Sequence, residues 1–137
     1  MAYNNSMASS VIDASISNMF TTNPVNLAAA VGGTTGTAVL TASTTTGKLK
    51  VTAIRSCEYG GAGTTVTLRL LPSGGTEGAV HDLINALSIG SGVTLNLLEQ
   101  LDGPIVLDVG DKLTAFAGTT ARANIVITYE SENGVEA

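Results

Sequence analysis

The sequence predicts an all-β fold: an antiparallel β-sandwich, jelly-roll-like, preceded by an N-terminal arm. Three observations carry this. Only 12% of the 137 residues are charged and 4% aromatic, against 44% hydrophobic and 16 Gly, where an average soluble chain carries about 25% charged residues. Thr, Ser, Ala, Asn and Gly fill the deficit, a mixture that favours strands and turns over long salt-bridged helices. Runs such as TTVTLRLL and ANIVITYE alternate apolar with polar residues, the period of a strand with one face buried. Turn signals between such runs recur every ~8–12 residues, the spacing of a sandwich or barrel and not of βαβ units. The length is one domain's worth, enough to bury roughly 70% of the surface the unfolded chain exposes.

The elements follow in order. Residues 1–36 read as the arm, 37–130 as the sandwich and 131–137 as a C-terminal tail. From Met1 to Gly47 the only charged residue is Asp13. An uncharged stretch of this kind suits an arm packed on a neighbouring subunit, where charges are costly to desolvate. Ser9 or Ser10 caps a short helix running toward Phe20, with Val11, Ile12, Ile16, Met19 and Phe20 near one face and Asp13 in the first turn, where the helix dipole favours a negative charge. Asn23-Pro24 ends that helix. The apolar residues of the arm, Val25 and Leu27 included, show no alternation that places them in a sheet. AAAVGGTTGTA is a loop.

The first strand is Thr37–Ala42, followed by a turn through Gly47. Lys48–Cys57 alternates with Leu49, Val51 and Ala53 on one side, then slips at Ile54 and Arg55, which signals a bulge or a strand covered on both faces. EYGGAG is a Gly-rich connection. Thr64–Leu71 places Val66, Leu68 and Leu70 inward and Thr65, Thr67 and Arg69 outward. Pro72–Gly75 is a turn. Ala79–Ile89 suits either a short helix or an irregular crossover ending in the strand Ala86–Ile89, and the flanking strands favour the crossover. Gly92–Glu99, Ile105–Val109, Lys112–Ala117 and Ala123–Glu130 complete the set, the last with Ile125, Ile127 and Tyr129 on one face. The expected core is Val66, Leu68, Leu70, Leu95, Leu97, Ile105, Leu107, Leu113, Ile125 and Ile127.

Charge and side-chain chemistry narrow the function. With 6 basic against 11 acidic residues and a net charge of −5, the chain is a poor phosphate-backbone binder, and the absence of Trp argues against base stacking. The N-terminus has no Lys or Arg and no continuous apolar core, so it does not read as a signal peptide, and no run reaches the ~18 apolar residues of a membrane span. Cys57 is alone, which leaves no intrachain disulfide, and reads as a small buried strand residue. His81-Asp82 lacks the convergent nucleophile of a triad. Asp102, Asp108 and Asp111 match no calcium loop and read as turn capping. Gly60-Gly61-Ala62-Gly63 is not followed by the Lys-Ser/Thr of a phosphate loop. No enzyme, metal or cofactor is expected. Lys48, Lys50, Arg55 and Arg69 come together in sequence as a candidate basic patch for an acidic partner surface.

The stretch from Thr45 to Tyr129 resembles small β-sandwich virion structural proteins of tailed bacteriophages. The resemblance is carried by TGKLKVTAIRSC, by the Thr-rich strand running into a turn in TTVTLRLLPSGG, by the crossover AVHDLINALSIGSGVTLNLLE, and by PIVLDVGDKLTAFAG before a final Val/Ile strand. It implies a capsid decoration (cement) protein that bridges neighbouring capsid subunits, or else a tail, neck or baseplate adaptor or fibre protein. Its partners would be copies of itself, as a trimer, and the major capsid protein, with no direct nucleic acid and no membrane. It would be made in the host cytoplasm and placed on the virion, at the capsid surface. Candidate partner contacts are Val11, Ile12, Ile16, Met19 and Phe20 of the arm with Lys48, Lys50, Arg55 and Arg69. A host-surface glycan-binding module is a further alternative, although Tyr3, Tyr59, Tyr129, Phe20 and Phe116 are few and scattered for an aromatic platform.

Overall fold

The computed structural model describes residues 19–137. Ten strands occupy them: β1 (Met19–Thr21), β2 (Val25–Asn26), β3 (Thr37–Thr41), β4 (Leu49–Glu58), β5 (Thr64–Leu71), β6 (Asp82–Ile89), β7 (Thr94–Asn96), β8 (Ile105–Leu107), β9 (Lys112–Ala117) and β10 (Ala123–Ser131). Two 3₁₀ turns, Ala79–His81 and Leu97–Gln100, precede β6 and follow β7. All strand pairs are antiparallel. In the first sheet β10 and β4 pair centrally, β1 and β2 share the far side of β10, and β7 and β8 share the far side of β4. The second sheet runs β3-β9-β5-β6. The chain is therefore a β-sandwich with two layers, each four strands wide.

The core lies between the layers, where the alternation of each strand delivers its apolar residues. β10 buries Ile125, Ile127 and Tyr129 on one face, and β4 sets Val51 and Ile54 beside them. Opposite them β5 contributes Val66 and Leu68, and β9 contributes Leu113 and Ala115. Of the expected core, Val66, Leu68, Leu97, Ile105, Leu107, Leu113, Ile125 and Ile127 are buried, whereas Leu70 and Leu95 are half-buried and pack against its margin.

The bulge in β4 is real but earlier than expected. Thr128 pairs with Ala53 and Tyr129 with Val51, so Thr52 is the extra residue. Beyond it the pleat changes phase, and Ile54, Ser56 and Glu58 turn inward in place of Ala53. A second correction concerns β5. Thr67 and Arg69, expected to face solvent, are buried, because other parts of the chain cover the outer face of the second sheet. The Thr34 carbonyl and the Glu77 carboxylate both accept from Arg69 Nη1.

β6 begins at Asp82, four residues before the expected strand, since Asp82 pairs in register with Arg69. Ala86 has φ 49 and interrupts the ladder, and its N–H donates to Thr67 Oγ1 at 3.0 Å. β7 is shorter than the expected strand. The Asn96 side chain accepts from the Leu98 N–H at 3.2 Å and so starts a 3₁₀ turn. Likewise β8 stops at Leu107, where the Asp111 carboxylate accepts from the Asp108 N–H.

The arm boundary at Gly36 is also corrected. The expected helix falls mostly outside the described residues, but its end, Met19 and Phe20, is strand, in register with Glu130 and Tyr129. The Phe20 ring lies 5.7 Å from that of Tyr129. The Thr22 N–H donates to the Ile127 carbonyl, the Leu27 N–H donates to that of Ala123, and the Leu27 side chain is 1% exposed. The sandwich thus includes residues from Met19 onward. At the other end Ser131 belongs to β10, the Glu132 and Asn133 N–H groups donate to the Lys48 and Thr46 carbonyls, and the Ala137 N–H donates to the Tyr129 hydroxyl.

Candidate functional site

The candidate contact residues separate onto the two sheets. Val11, Ile12 and Ile16 lie outside the described residues. Met19 is 44% exposed on the outer face of the first sheet, while Phe20 points inward onto Tyr129. Lys50 and Arg55 are exposed on that same outer face, and Lys48 pairs at 3.6 Å with Asp108 in an open ion pair worth little. Arg69 is on the other sheet and buried, so the four cations do not form one patch.

The outer face of the first sheet is a ladder of short rows. Met19, Glu130, Lys50 and Val106 form one row, Val126, Arg55 and Asn96 another, and Asn26, Asn124, Cys57 and Thr94 a third. Cys57 is half-buried here and not in the core as expected, because the Thr52 bulge puts Ser56 and Glu58 inward instead. Two hollows open on this face. One, of about 310 Å³, lies between Arg55, Cys57, Asn124 and Val126, and the other, of about 390 Å³, lies between Lys50, Leu98, Glu99 and Pro104. Among the described residues neither Lys50 nor Arg55 has an ion-pair partner. The face is open and carries a few separated charges, Lys50, Arg55 and Glu130 among them.

Arg69 organises the outer side of the second sheet. Its Nε donates to Asp82 Oδ1 at 2.5 Å, and its Nη1 donates to Glu77 Oε2 at 2.9 Å and to the Thr34 carbonyl. The guanidinium carbon lies 4.8 Å from the centre of the Phe116 ring, an added cation–π contact. Burial pushes the Arg69 pKa down, but the hydrogen bonds and charges of Asp82 and Glu77 outweigh it and raise it above its ordinary value. The group is a latch joining β5, β6, the segment between them and the loop before β3. It also occupies the Asp82 of the His81-Asp82 pair.

Glu58, at the end of β4, is not among the residues expected at a site. Its side chain is fully buried under the Gly-rich loops. The Gly92 N–H donates to Oε2 at 2.8 Å, while Oε1 makes no close hydrogen bond and faces the turn at Gly60. The Gly92 N–H lowers the Glu58 pKa most. Burial works against it, and the N–H groups of Ala62, Gly60 and Gly61 add to the lowering with weaker geometry. A carboxylate followed at once by Tyr-Gly-Gly-Ala-Gly was the available signal, since successive backbone N–H groups make an anion nest.

Because the folded pKa is lowered, ionised Glu58 contributes stability that is fully present above the ordinary value of 4.5. That contribution is lost as pH falls through the folded value. Glu58→Gln, which turns an N–H toward N–H donors, is expected to lower the urea midpoint at pH 7 and to flatten its fall between pH 5 and pH 3 (roughly the window around the carboxyl pKa). Parallel acid limbs for the two proteins would show that Glu58 is not the group responsible.

Among the described residues no three His, Cys, Asp or Glu side chains gather as a metal site needs, and no helix is long and apolar enough to cross a membrane. Asp111 caps the Ser73 and Asp108 N–H groups. Tyr129 and Phe116, named for a glycan platform, lie in the core and against Arg69. No protein-family model matches the chain, and neither the curated proteins nor the solved structures return a match.

Proposed function

We propose that the protein is a bacteriophage virion structural protein, a capsid decoration protein that stabilises the assembled head by bridging neighbouring capsid subunits. The observation that carries this reading is the strand order of the sandwich, most of which is built from the segment bearing the sequence resemblance. Counting β1 with β2 and β7 with β8 as single positions, the two layers run β1/β2-β10-β4-β7/β8 and β3-β9-β5-β6. We read this order as a jelly roll, an architecture used by viral capsid and lectin domains. A sandwich with an open, sparsely charged face adds contact area where capsid subunits meet, and it resists the outward load of packaged DNA without bond chemistry. A homotrimer fits such a place, because closed symmetry repeats the same contact on each partner and several contacts per oligomer give avidity.

Copy number tests the reading. In particles released from cells that express the chain, quantitative mass spectrometry against the major capsid protein is expected to find hundreds of copies per particle. A dozen or fewer would place it in the neck or tail as an adaptor, and absence from washed particles would end the virion reading.

A further inference from the structure

Beyond β10 the chain is clasped onto the turn that precedes β4. The Glu132 and Asn133 N–H groups donate to the Lys48 and Thr46 carbonyls, each at 3.0 Å, and Asn133 Nδ2 donates to the Thr45 carbonyl at 3.1 Å. Ser131 Oγ donates to the Thr46 carbonyl as well. The Gly134 N–H then donates back to the Ser131 carbonyl at 3.1 Å, with Gly134 at φ 66. A Cβ at Gly47 would sit 2.6 Å from Glu132 Oε1 and 3.1 Å from Asn133 Nδ2, so both side chains lie over that glycine.

Asn133-Gly134 is the only Asn-Gly pair in the chain, and Asn133 is exposed. In such a pair the side-chain amide carbon is an electrophile, and the next backbone nitrogen approaches it with no Cβ in the way, which makes this asparagine thermolabile. The Gly134 nitrogen attacks Asn133 Cγ, and the new C–N bond closes a succinimide. Nδ2 leaves as ammonia, taking the proton that the Gly134 nitrogen gives up. Solvent water then opens the ring at either carbonyl and leaves aspartate or isoaspartate. In the clasp neither reactant is free, because the Gly134 N–H is held by Ser131 and the Asn133 amide by Thr45. The reaction therefore proceeds from the locally opened chain, and its rate follows the population of that state.

The product does not fit back. An oxygen in place of Nδ2 sets one acceptor against another at the Thr45 carbonyl, and it adds a negative charge beside Glu132. Isoaspartate also inserts a methylene into the main chain between positions 133 and 134, which carries the Gly134 N–H out of register with Ser131. We propose that Asn133 is a self-modification site, whose deamidation is gated by this clasp and releases residues 132–137 from the turn at residues 45–47. The release withdraws the Ala137 N–H from the Tyr129 hydroxyl. This inference does not rest on the virion reading.

Peptide mapping by mass spectrometry, on the full chain held in warm, mildly alkaline buffer, tests it. Conversion at Asn133 is expected to be at least about ten-fold slower in the folded chain than in the same chain unfolded in guanidinium chloride. Thr46→Ala removes the hydroxyl that accepts from the Ser43 N–H and donates to the Gly47 carbonyl, and leaves the Asn-Gly pair intact. It should speed conversion in the folded chain several-fold. Should Thr46→Ala fail to fold, Ser43→Ala, which removes the acceptor of the Thr46 N–H, replaces it. In Asn133→Asp the Glu132 and Ala137 amides are expected to exchange hydrogen at least about ten-fold faster than in the unmodified chain. Equal conversion in the folded and unfolded chains, a rate indifferent to loosening of the turn, or unchanged exchange in Asn133→Asp would each overturn the proposal.

Discussion

Arg69→Met is expected to lower the free energy of unfolding by about 3–5 kcal/mol, the usual effect of removing one partner from a buried ion cluster. Its guanidinium serves Asp82, Glu77 and the Thr34 carbonyl at once, and the side chains of both acids are mostly buried, 8% and 15% exposed. Without the cation, two carboxylates and a carbonyl face each other with no donor among them. The variant Arg69→Met/Glu77→Gln/Asp82→Asn is expected to recover much of the loss, because a neutral cluster carries no uncompensated charge. Urea unfolding at pH 7 checks both. A loss below about 1 kcal/mol for the single variant would mean that water already screens the cluster as it does an exposed pair.

Truncation should separate two boundaries sharply. A chain beginning at Met19 is expected to unfold in one cooperative transition close to that of the full chain. A chain beginning at Thr37 is expected to lose the fold. The second cut removes β1 and β2, uncovers one side of β10 and bares Tyr129. It also removes the Thr34 carbonyl from Arg69 and the buried Leu27. Leu27 alone represents about 2–5 kcal/mol by the usual large-to-small figures, out of a total stability of about 5–15 kcal/mol for a domain. Far-UV circular dichroism with thermal melting decides the matter. A cooperative melt for the shorter chain would return residues 19–36 to the status of a dispensable arm.

Where a strand alternates and is bounded by turn residues, its limits could be read from the sequence. Thr64–Leu71 and Lys112–Ala117 match β5 and β9 residue for residue, and the Ile125, Ile127, Tyr129 face of β10 is the buried one. β1 and β2 could not be read, because strands of three and two residues are too short to show a period. Arg69 was misplaced for a different reason. Alternation assigns a residue to the outer face of its sheet but does not report whether another part of the chain covers that face. The cation patch failed with it, since nearness in sequence says nothing about which layer a strand joins. Glu58 was legible only as chemistry: a carboxylate beside glycine-rich turns, whose backbone donors periodicity does not register.

The order in which the chain leaves the ribosome bears on the strand arrangement. Among the described residues β10, the last strand, is a central strand of its sheet and pairs with β1, the first; β9, the one before it, lies between β3 and β5. Neither layer can therefore be assembled from an N-terminal portion, and pairing across such long sequence separations is slow, on the order of milliseconds to seconds. At ~5–20 residues per second of synthesis, strands β4 and β5 wait for seconds with the edges that β10 and β9 will cover still bare. Lys48, Lys50, Arg55 and Arg69 stand in and beside these strands, the placement that charged gatekeepers take against pairing with another copy.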